Sequence, residues 1–424
     1  MARRLGMQGD GDPAGAVPFG HRPAARKAAN VKHVIVILDG AAGWPLDRFG
    51  GLTSLAAART PNLDRMAAAG TVGLARTVPP GTEASSAAAC TSILGYDPVA
   101  DYVGRGAIEA ASMGIRLEDD EVALRLNLVS IVGGCMHSYS CGRIATEQSR
   151  EIVTDLQTAF GGPTLRFYPG VAYRHILVVK GHPELLELTY TAPHDISGMP
   201  VEGRSPSGDG AGLLTGLMNR VHAFLDAHPT NIGRRAAGET PATDIWPFWP
   251  GVAPRTLTPF QNKRGVRAAL TSGVDLLGGL ATLTGIDRLE IPGVTDGSDN
   301  DYAGQAEGAL AALADHDLIV IHVETPDEEG HAGDADGKIA GIEAIDREVV
   351  GRVLALGGEF RVLCMPDHPT PVALMTHTAD PVPFVMWGSG IAHNGASAFD
   401  ENQAAASGLM VDPGRGVMDL LLGS

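Results

Sequence analysis

The stretch LIVIHVETPDEEGH, Leu318 to His331, decides the fold. A six-residue run rich in apolar and β-branched side chains, Leu318 to Val323, predicts a buried strand, because so short a run bounded by a proline fits a sheet interior better than a helix. The turn expected after it carries Asp327 and, four residues on, His331. An acid and an imidazole at the end of a strand are metal-ligand chemistry. Two further stretches share the design. HVIVIL (His33 to Leu38) runs into Asp39-Gly40, and RVLCM (Arg361 to Met365) runs into Pro366-Asp367-His368. Parallel strands deliver their C-terminal ends to one crevice, which is where open α/β sheets bind ligands.

The rest of the chain is read as what surrounds that crevice. It has 424 residues, enough for a large core and about two to three domains. A formal charge of −17 argues against nucleic acid or an anionic membrane as the main partner, since both reward basic surfaces. No stretch of about twenty apolar residues predicts a membrane-spanning helix. Cys90, Cys135, Cys141 and Cys364 are few and scattered, and read as reduced thiols of a cytoplasmic protein. Residues 1 to 30, rich in Arg, Gly, Ala and Pro, lack the apolar segment of a secretory signal and are expected to form a disordered tail.

Strand–helix alternation runs from Val34 and resumes near Arg267. In TPNLDRMAAAG, Thr60 is the expected N-cap, Pro61 the first helical residue and Gly70 the stop. Val72 to Val78 is the next strand. Ser85-Ser86 before an Ala-rich run marks a helix N-terminus. One of the two serines is a cap, or a nucleophile whose phosphorylated form would rest on the helix's positive end. Arg105, between Gly104 and Gly106, is expected on a loop that brings a guanidinium to a ligand. The middle third changes character. Ile115 to Gly134 suggests antiparallel strands turning at Glu118 to Asp120, Glu147 to Phe160 and Thr215 to Ala227 suggest helices, and Gly170 to Lys180 and Leu185 to Thr191 suggest further strands. Trp246 to Pro259 reads as a Pro- and Trp-rich connection. Residues 117–260 are therefore expected to be an α+β domain inserted between 31–116 and 261–424. Gly337 to Leu356 predicts a long amphipathic helix.

Asp39, Asp327, His331, Asp367, His368 and His377, with Ser86, form a mixed carboxylate–imidazole set too large for one tetrahedral ion and suited to two. Two ions about 3.5–4 Å apart serve transfer at phosphorus by holding attacking and leaving oxygens together. The motifs ILDG (37–40), GGLTSLAAARTPNLDRMA (50–67), LGYDP (94–98), GRGAIEA (104–110), GVDLLGG, HVETPDEEGHAGD (322–334) and PDHPTPVALMTHTADPVPF (366–384) resemble the archaeal-type cofactor-independent phosphoglycerate mutases of the alkaline phosphatase superfamily.

That resemblance implies an α/β fold, an alkaline-phosphatase-like doubly wound sheet domain carrying an inserted lid. It implies two divalent ions (Mn²⁺, Zn²⁺ or Mg²⁺), no organic cofactor, and a small phosphorylated substrate interconverted between 3- and 2-phosphoglycerate. One ion would be held by Asp327, His331 and His377, the other by Asp39, Ser86, Asp367 and His368, with Ser86 as nucleophile. Substrate contacts would fall to Arg105, Arg125, His137, Arg143, His194, Arg264 and Gln305. Three departures stand out. The nucleophile text is Ser85-Ser86-Ala87, the loop after Asp39 reads Gly40-Ala41-Ala42-Gly43-Trp44, and Gln305 occupies a position where the family tends to carry a Lys. Gln brings no charge to a phosphoryl group. The departures keep open a related transferase using an activated, phosphonyl- or nucleotide-linked donor, or a phosphoesterase.

Overall fold

Buried apolar runs organise an eight-stranded sheet in the computed structural model, which describes residues 31–254 and 257–423. The expected tail, 1 to 30, lies outside the described residues. The centre of the sheet is β1 (Lys32–Leu38), flanked by β10 (Leu318–Val323) and β11 (Phe360–Met365), both parallel to it. All six residues of β10 are buried, as a strand covered on both faces requires. Beyond β10 lie β8 (Ala268–Thr271) and the two-residue β9 (Asp287–Arg288). Beyond β11 lie β12 (Val382–Gly388), β2 (Thr71–Ala75) and β13 (Met410–Val411), with β12 antiparallel to both β11 and β2. The register Ile37↔His322 and Ile37↔Met365 brings the ends of β1, β10 and β11 level, so the residues that follow them share one crevice.

A second sheet lies between Glu121 and Val252. It contains β3 (Glu121–Val132), β4 (Cys135–Ser138), β5 (Leu165–Tyr168), β6 (Arg174–Lys180) and β7 (Asp244–Val252). Its path is β4-β3-β6-β5, with β7 on the other side of β3. Helices Thr146–Phe160 and Gly212–Asp226 cover one face and close a separate core around Leu124, Leu126, Leu128, Trp246 and Phe248.

Several expectations are corrected. Ile115 to Asp120 is not a strand, and β3 runs unbroken through the remainder of that stretch. Leu185 to Thr191 begins as the last turn of a 3₁₀ helix, Pro183–Glu187. The Pro- and Trp-rich connection is largely β7. Pro247 and Pro250 lack the N–H that an inner strand needs, but β7 pairs only with β3, so an edge position accommodates them. Leu257 and Phe260 pack into the core of the first sheet rather than with the second.

Two helix details bear on the site. Helix Pro61–Ala69 starts and stops as expected, but its N-terminus is capped by Asp346, which accepts from the backbone N–H of Asn62 (3.2 Å) and Leu63 (2.8 Å), not by Thr60. The amphipathic helix after β10 runs from Ala335 to Leu354 with a π-helical segment, Ile345–Val350, in its middle.

Candidate active site

Three strand ends and two helix N-termini build the crevice. Asp39 follows β1 directly and is completely buried. Asp367 and His368 follow β11 and are equally inaccessible. Asp367 Oδ1 accepts from the N–H groups of Gly40 (3.1 Å) and His368 (2.7 Å), which fixes the carboxylate and locks two strand ends together. The expected turn after β10 is a helix, Thr325–Ala332, with Pro326 in its first turn. The helix makes Asp327 and His331 face each other across one turn, with His331 Nε2 3.3 Å from Asp327 Oδ2. His377 arrives from the loop before β12, its Nε2 3.5 Å from Asp327 Oδ1.

Ser85 and Ser86 divide the two roles left open between them. Ser85 is the N-cap of helix Ser86–Ile93, its Oγ accepting from the Ala88 N–H at 3.4 Å. Ser86 is the first helical residue and faces the crevice, its Oγ 3.1 Å from His368 Nε2.

The imidazoles are oriented from behind. His331 Nδ1 donates to the Met375 carbonyl (3.0 Å) and His377 Nδ1 to the Ala84 carbonyl (3.1 Å). Thr370 Oγ1 donates to Asp327, so it accepts from His368 Nδ1 (3.3 Å). Each ring therefore turns Nε2 into the crevice, an arrangement that suits metal-ligating histidines. His331 Nε2 and His377 Nε2 stand 2.8 Å apart with Asp327 beside them, a contact that needs a proton or a cation between two lone pairs. Asp327, His368 and His377 converge closely enough to hold one ion, as do Asp39, Asp367 and His368.

The electrostatics favour cations. Burial, reinforced by Asp367 and Asp327, raises the Asp39 carboxyl well above the usual carboxylate range. Burial also raises Asp327, but hydrogen bonds from His331 and His377 outweigh it and hold that carboxyl well below its usual value. Asp327 in turn pushes His331 up to about 9, against the opposing effect of burial. Burial lowers His368, leaving a neutral imidazole. Among the described residues no Lys or Arg forms an ion pair with Asp39, Asp327 or Asp367, and Asp39 Oδ1 is buried with no hydrogen-bond partner. Buried carboxylates without cationic partners are costly, and the residues present fit divalent ions in both groupings.

Two further residues of the Leu318–His331 stretch support the site. His322, inside β10, places Nε2 2.7 Å from Asp39 Oδ2 and Nδ1 3.0 Å from Ser272 Oγ, and so orients Asp39 from below. Glu324, just past β10, lies 3.7 Å from His322 Nε2. The only signal in the sequence was a polar residue near the end of an otherwise apolar run.

The expected substrate residues separate into groups. Arg105 and Arg125 meet at the seam between the two units, both bonded to Glu109 (2.9 Å each). Arg105 is not on a loop; it is the first residue of helix Arg105–Ser112. His194 packs edge-on against Trp249, with ring centroids 5.4 Å apart, and Arg105 lies over the same indole at 4.2 Å. His137 on β4 and Arg143 on the following loop are exposed. Arg264 is turned away, bonded to the Gly95 carbonyl (2.8 Å) and to Asp419. Gln305 is completely buried. Its Nε2 donates to the His322 carbonyl (2.9 Å) and its Oε1 accepts from Asn300 Nδ2 (2.9 Å), so its amide supports β10 from behind and offers nothing to a ligand.

A doubly wound α/β sheet with carboxylates and imidazoles at its strand ends, carrying a second α+β unit, is the architecture of phosphoryl-transfer enzymes that work through metal-bound phosphate. Residues 67–231 match the family model described as 2,3-bisphosphoglycerate-independent phosphoglycerate mutase. The chain is 41% identical over 400 residues to a probable mutase of that description from Geobacter sulfurreducens, covering 92% of this chain and 100% of that one. It is 42% identical over 396 residues to a mutase of Methanothrix thermoacetophila, with the same coverage. Among solved structures, the cofactor-independent phosphoglycerate mutase from Thermoplasma acidophilum superposes with a TM-score of 0.65 at 26% identity, covering 93% of this chain and 99% of that one. A Pyrococcus horikoshii protein superposes with a TM-score of 0.79 at 28% identity, covering 93% and 97%. The chain belongs to the 2,3-bisphosphoglycerate-independent phosphoglycerate mutase family.

Proposed function

We propose that this chain interconverts 3-phosphoglycerate and 2-phosphoglycerate in the cytoplasm by passing the phosphoryl group through Ser86. The observation that carries the reading is the Ser86 hydroxyl, uncommitted to helix capping and 3.1 Å from His368 Nε2, at the N-terminus of its helix amid the converging acids and imidazoles.

Asp327, His331 and His377 would hold one divalent ion, and Asp39, Ser86, Asp367 and His368 the other; Mn²⁺, Zn²⁺ and Mg²⁺ suit such mixed donors. When bound, the ions supply the positive charge that lowers the proton affinity of the serine oxygen and balances charge on the transferred group. The rest falls to the chain's own residues. Ser86 Oγ attacks phosphorus, its bond to phosphorus forms as the substrate's ester O–P bond breaks, and the serine proton ends, net, on the released glycerate oxygen. The backbone N–H groups at the start of helix Ser86–Ile93 face the phosphoserine oxygens. The neighbouring hydroxyl of the retained glycerate then takes the phosphoryl group and Ser86 regains a proton. The second unit acts as a lid, with Arg105 and Arg125 holding the glycerate while this exchange occurs.

A coupled assay for 2-phosphoglycerate formation tests the proposal. The wild type loaded with Mn²⁺ converts 3-phosphoglycerate. Ser86→Ala lowers kcat by about 10⁴-fold or more, on the scale of removing a nucleophile, while keeping its metal. A Ser86→Ala enzyme with full activity ends the proposal.

A further inference from the structure

We infer that Glu109 is a positioning residue that holds Arg105 of the first unit and Arg125 of the second as one clamp for a carboxylate, an inference that rests on the mutase reading above. Glu109 lies one helical turn after Arg105, on the same face of helix Arg105–Ser112. Its Oε1 accepts from Arg105 Nε and from Arg125 Nη1, each at 2.9 Å. Arg125 belongs to β3, so this oxygen joins the two units at the seam.

The pair is braced on aromatic faces. The Arg105 guanidinium lies 4.2 Å from the Trp249 ring centroid, and Arg125 lies 5.4 Å from both Phe248 and Trp249. Trp249 itself sits at φ 46°, left-handed backbone that a bulky residue rarely adopts and that concentrates at functional sites. The Arg125 side chain is 9% exposed, and its Nε is buried with no partner. A cleft of roughly 190 Å³ opens beside it, with Arg105, Arg125 and Arg174 on its wall together with the acids Glu109, Asp275 and Asp296. Arg105 also lines a second opening with Ser85 and Ala87, next to the nucleophile. Arg105 therefore reaches from the mouth of the phosphoryl site to a cleft with guanidiniums on one wall, where a small carboxylic acid fits against Arg105 and Arg125.

Glu109 makes this possible because two guanidiniums this close repel in a low-dielectric seam, and one carboxylate oxygen shared between them offsets that repulsion. The trio keeps a net positive charge for an anion. Without the carboxylate the two side chains splay, and the substrate must gather them on binding.

The test compares wild type, Glu109→Gln and Glu109→Asp as metal-loaded full-length proteins. It measures KM and kcat for 3-phosphoglycerate, calorimetric Kd for 3-phosphoglycerate and for inorganic phosphate, and thermal unfolding. Glu109→Gln is expected to raise KM and Kd for 3-phosphoglycerate by about tenfold, the scale of one charge-assisted hydrogen bond. Its kcat stays within about threefold and its affinity for phosphate, which has no carboxylate, shifts far less. Glu109→Asp, one methylene shorter, recovers part of the affinity. Unchanged KM in Glu109→Gln overturns the inference, and so does parallel loss of both ligands with a lowered Tm, which marks a merely structural tie. A wild type that binds phosphate but not 3-phosphoglycerate overturns the mutase reading first, and the clamp with it.

Discussion

Metal uptake should release a proton from His331, and its pH dependence can be worked from the site. In the metal-free protein Asp327 hydrogen-bonds His331 and pushes the imidazole up to about 9, with burial opposing. At pH 7 roughly one molecule in a hundred then has the ring free to bind an ion. The His331 side chain is 36% exposed, so solvent screening reduces the effect, and a tenfold to hundredfold affinity gain between pH 7 and pH 9 is the expected range. The sign follows from competition: the ion needs the neutral imidazole, so affinity rises with pH until about 9 and then levels off. Isothermal titration of Mn²⁺ into the apo protein, in two buffers of different ionisation enthalpy, reads both the affinity and the protons released. About one proton per protein from His331 is expected at pH 7, in addition to any from Asp39, whose carboxyl burial also raises. A Kd flat across this range with no proton release would refute the assignment of His331 as a ligand.

Other substitutions probe the scaffold. Gln305→Ala should destabilise the fold by roughly 2–3 kcal/mol in urea unfolding, because the His322 carbonyl and Asn300 lose buried partners. Lys338 is completely buried and ties the Ala42 carbonyl (3.0 Å) to the Thr370 carbonyl (2.7 Å), bridging the loops behind Asp39 and His368. Lys338→Met should therefore weaken Mn²⁺ binding along with stability. Burial lowers the Lys338 ammonium to about 8, below its unfolded value, so the unfolded chain holds the extra proton between about pH 8 and 10.5. The stability advantage of wild type over Lys338→Met should consequently grow as pH rises through that window, as urea titrations at pH 7.5 and 9.5 would read. Gly104 adopts φ 85°, and a Cβ there would fall 2.2 Å from the Pro250 carbonyl oxygen. Gly104→Ala should cost roughly 2–4 kcal/mol and displace Arg105, raising KM for 3-phosphoglycerate.

The strands that build the crevice are legible because burial on both faces leaves a continuous apolar run, as in Val34 to Leu38 and Leu318 to Ile321. Asp39, Asp327, Asp367 and the histidines were legible because polar residues end those runs. The helix after β10 was mistaken for a turn because eight residues containing an early proline and a glycine carry little periodicity; tertiary contacts, including Thr370 against Asp327, hold it. Strand β7 was hidden by Pro247 and Pro250, whose meaning depends on whether a strand is an edge, and pairing decides that. The choice between Ser85 and Ser86 turns on which hydroxyl the helix N-terminus consumes, and the extended backbone of Ser85 makes it the cap. Gln305 and Arg264 are expected at the ligand on the resemblance alone; the Gln305 amide is spent on His322 and Asn300, and the Arg264 Nη atoms on the Gly95 carbonyl and Asp419. His322 and Glu324 went unremarked because a polar residue in or just beyond an apolar strand gives no hint of which neighbour it meets; the register with β1 supplies that.

The central claim is that Ser86 carries the phosphoryl group between two hydroxyls of one substrate. Its most direct test is to incubate the Mn²⁺-loaded protein with 3-phosphoglycerate labelled at phosphorus, quench in acid, and map the modified peptide by mass spectrometry. The account predicts label on Ser86, absent in Ser86→Ala and absent after metal removal. Mutase turnover with no label on Ser86, or with label on another residue, would contradict it.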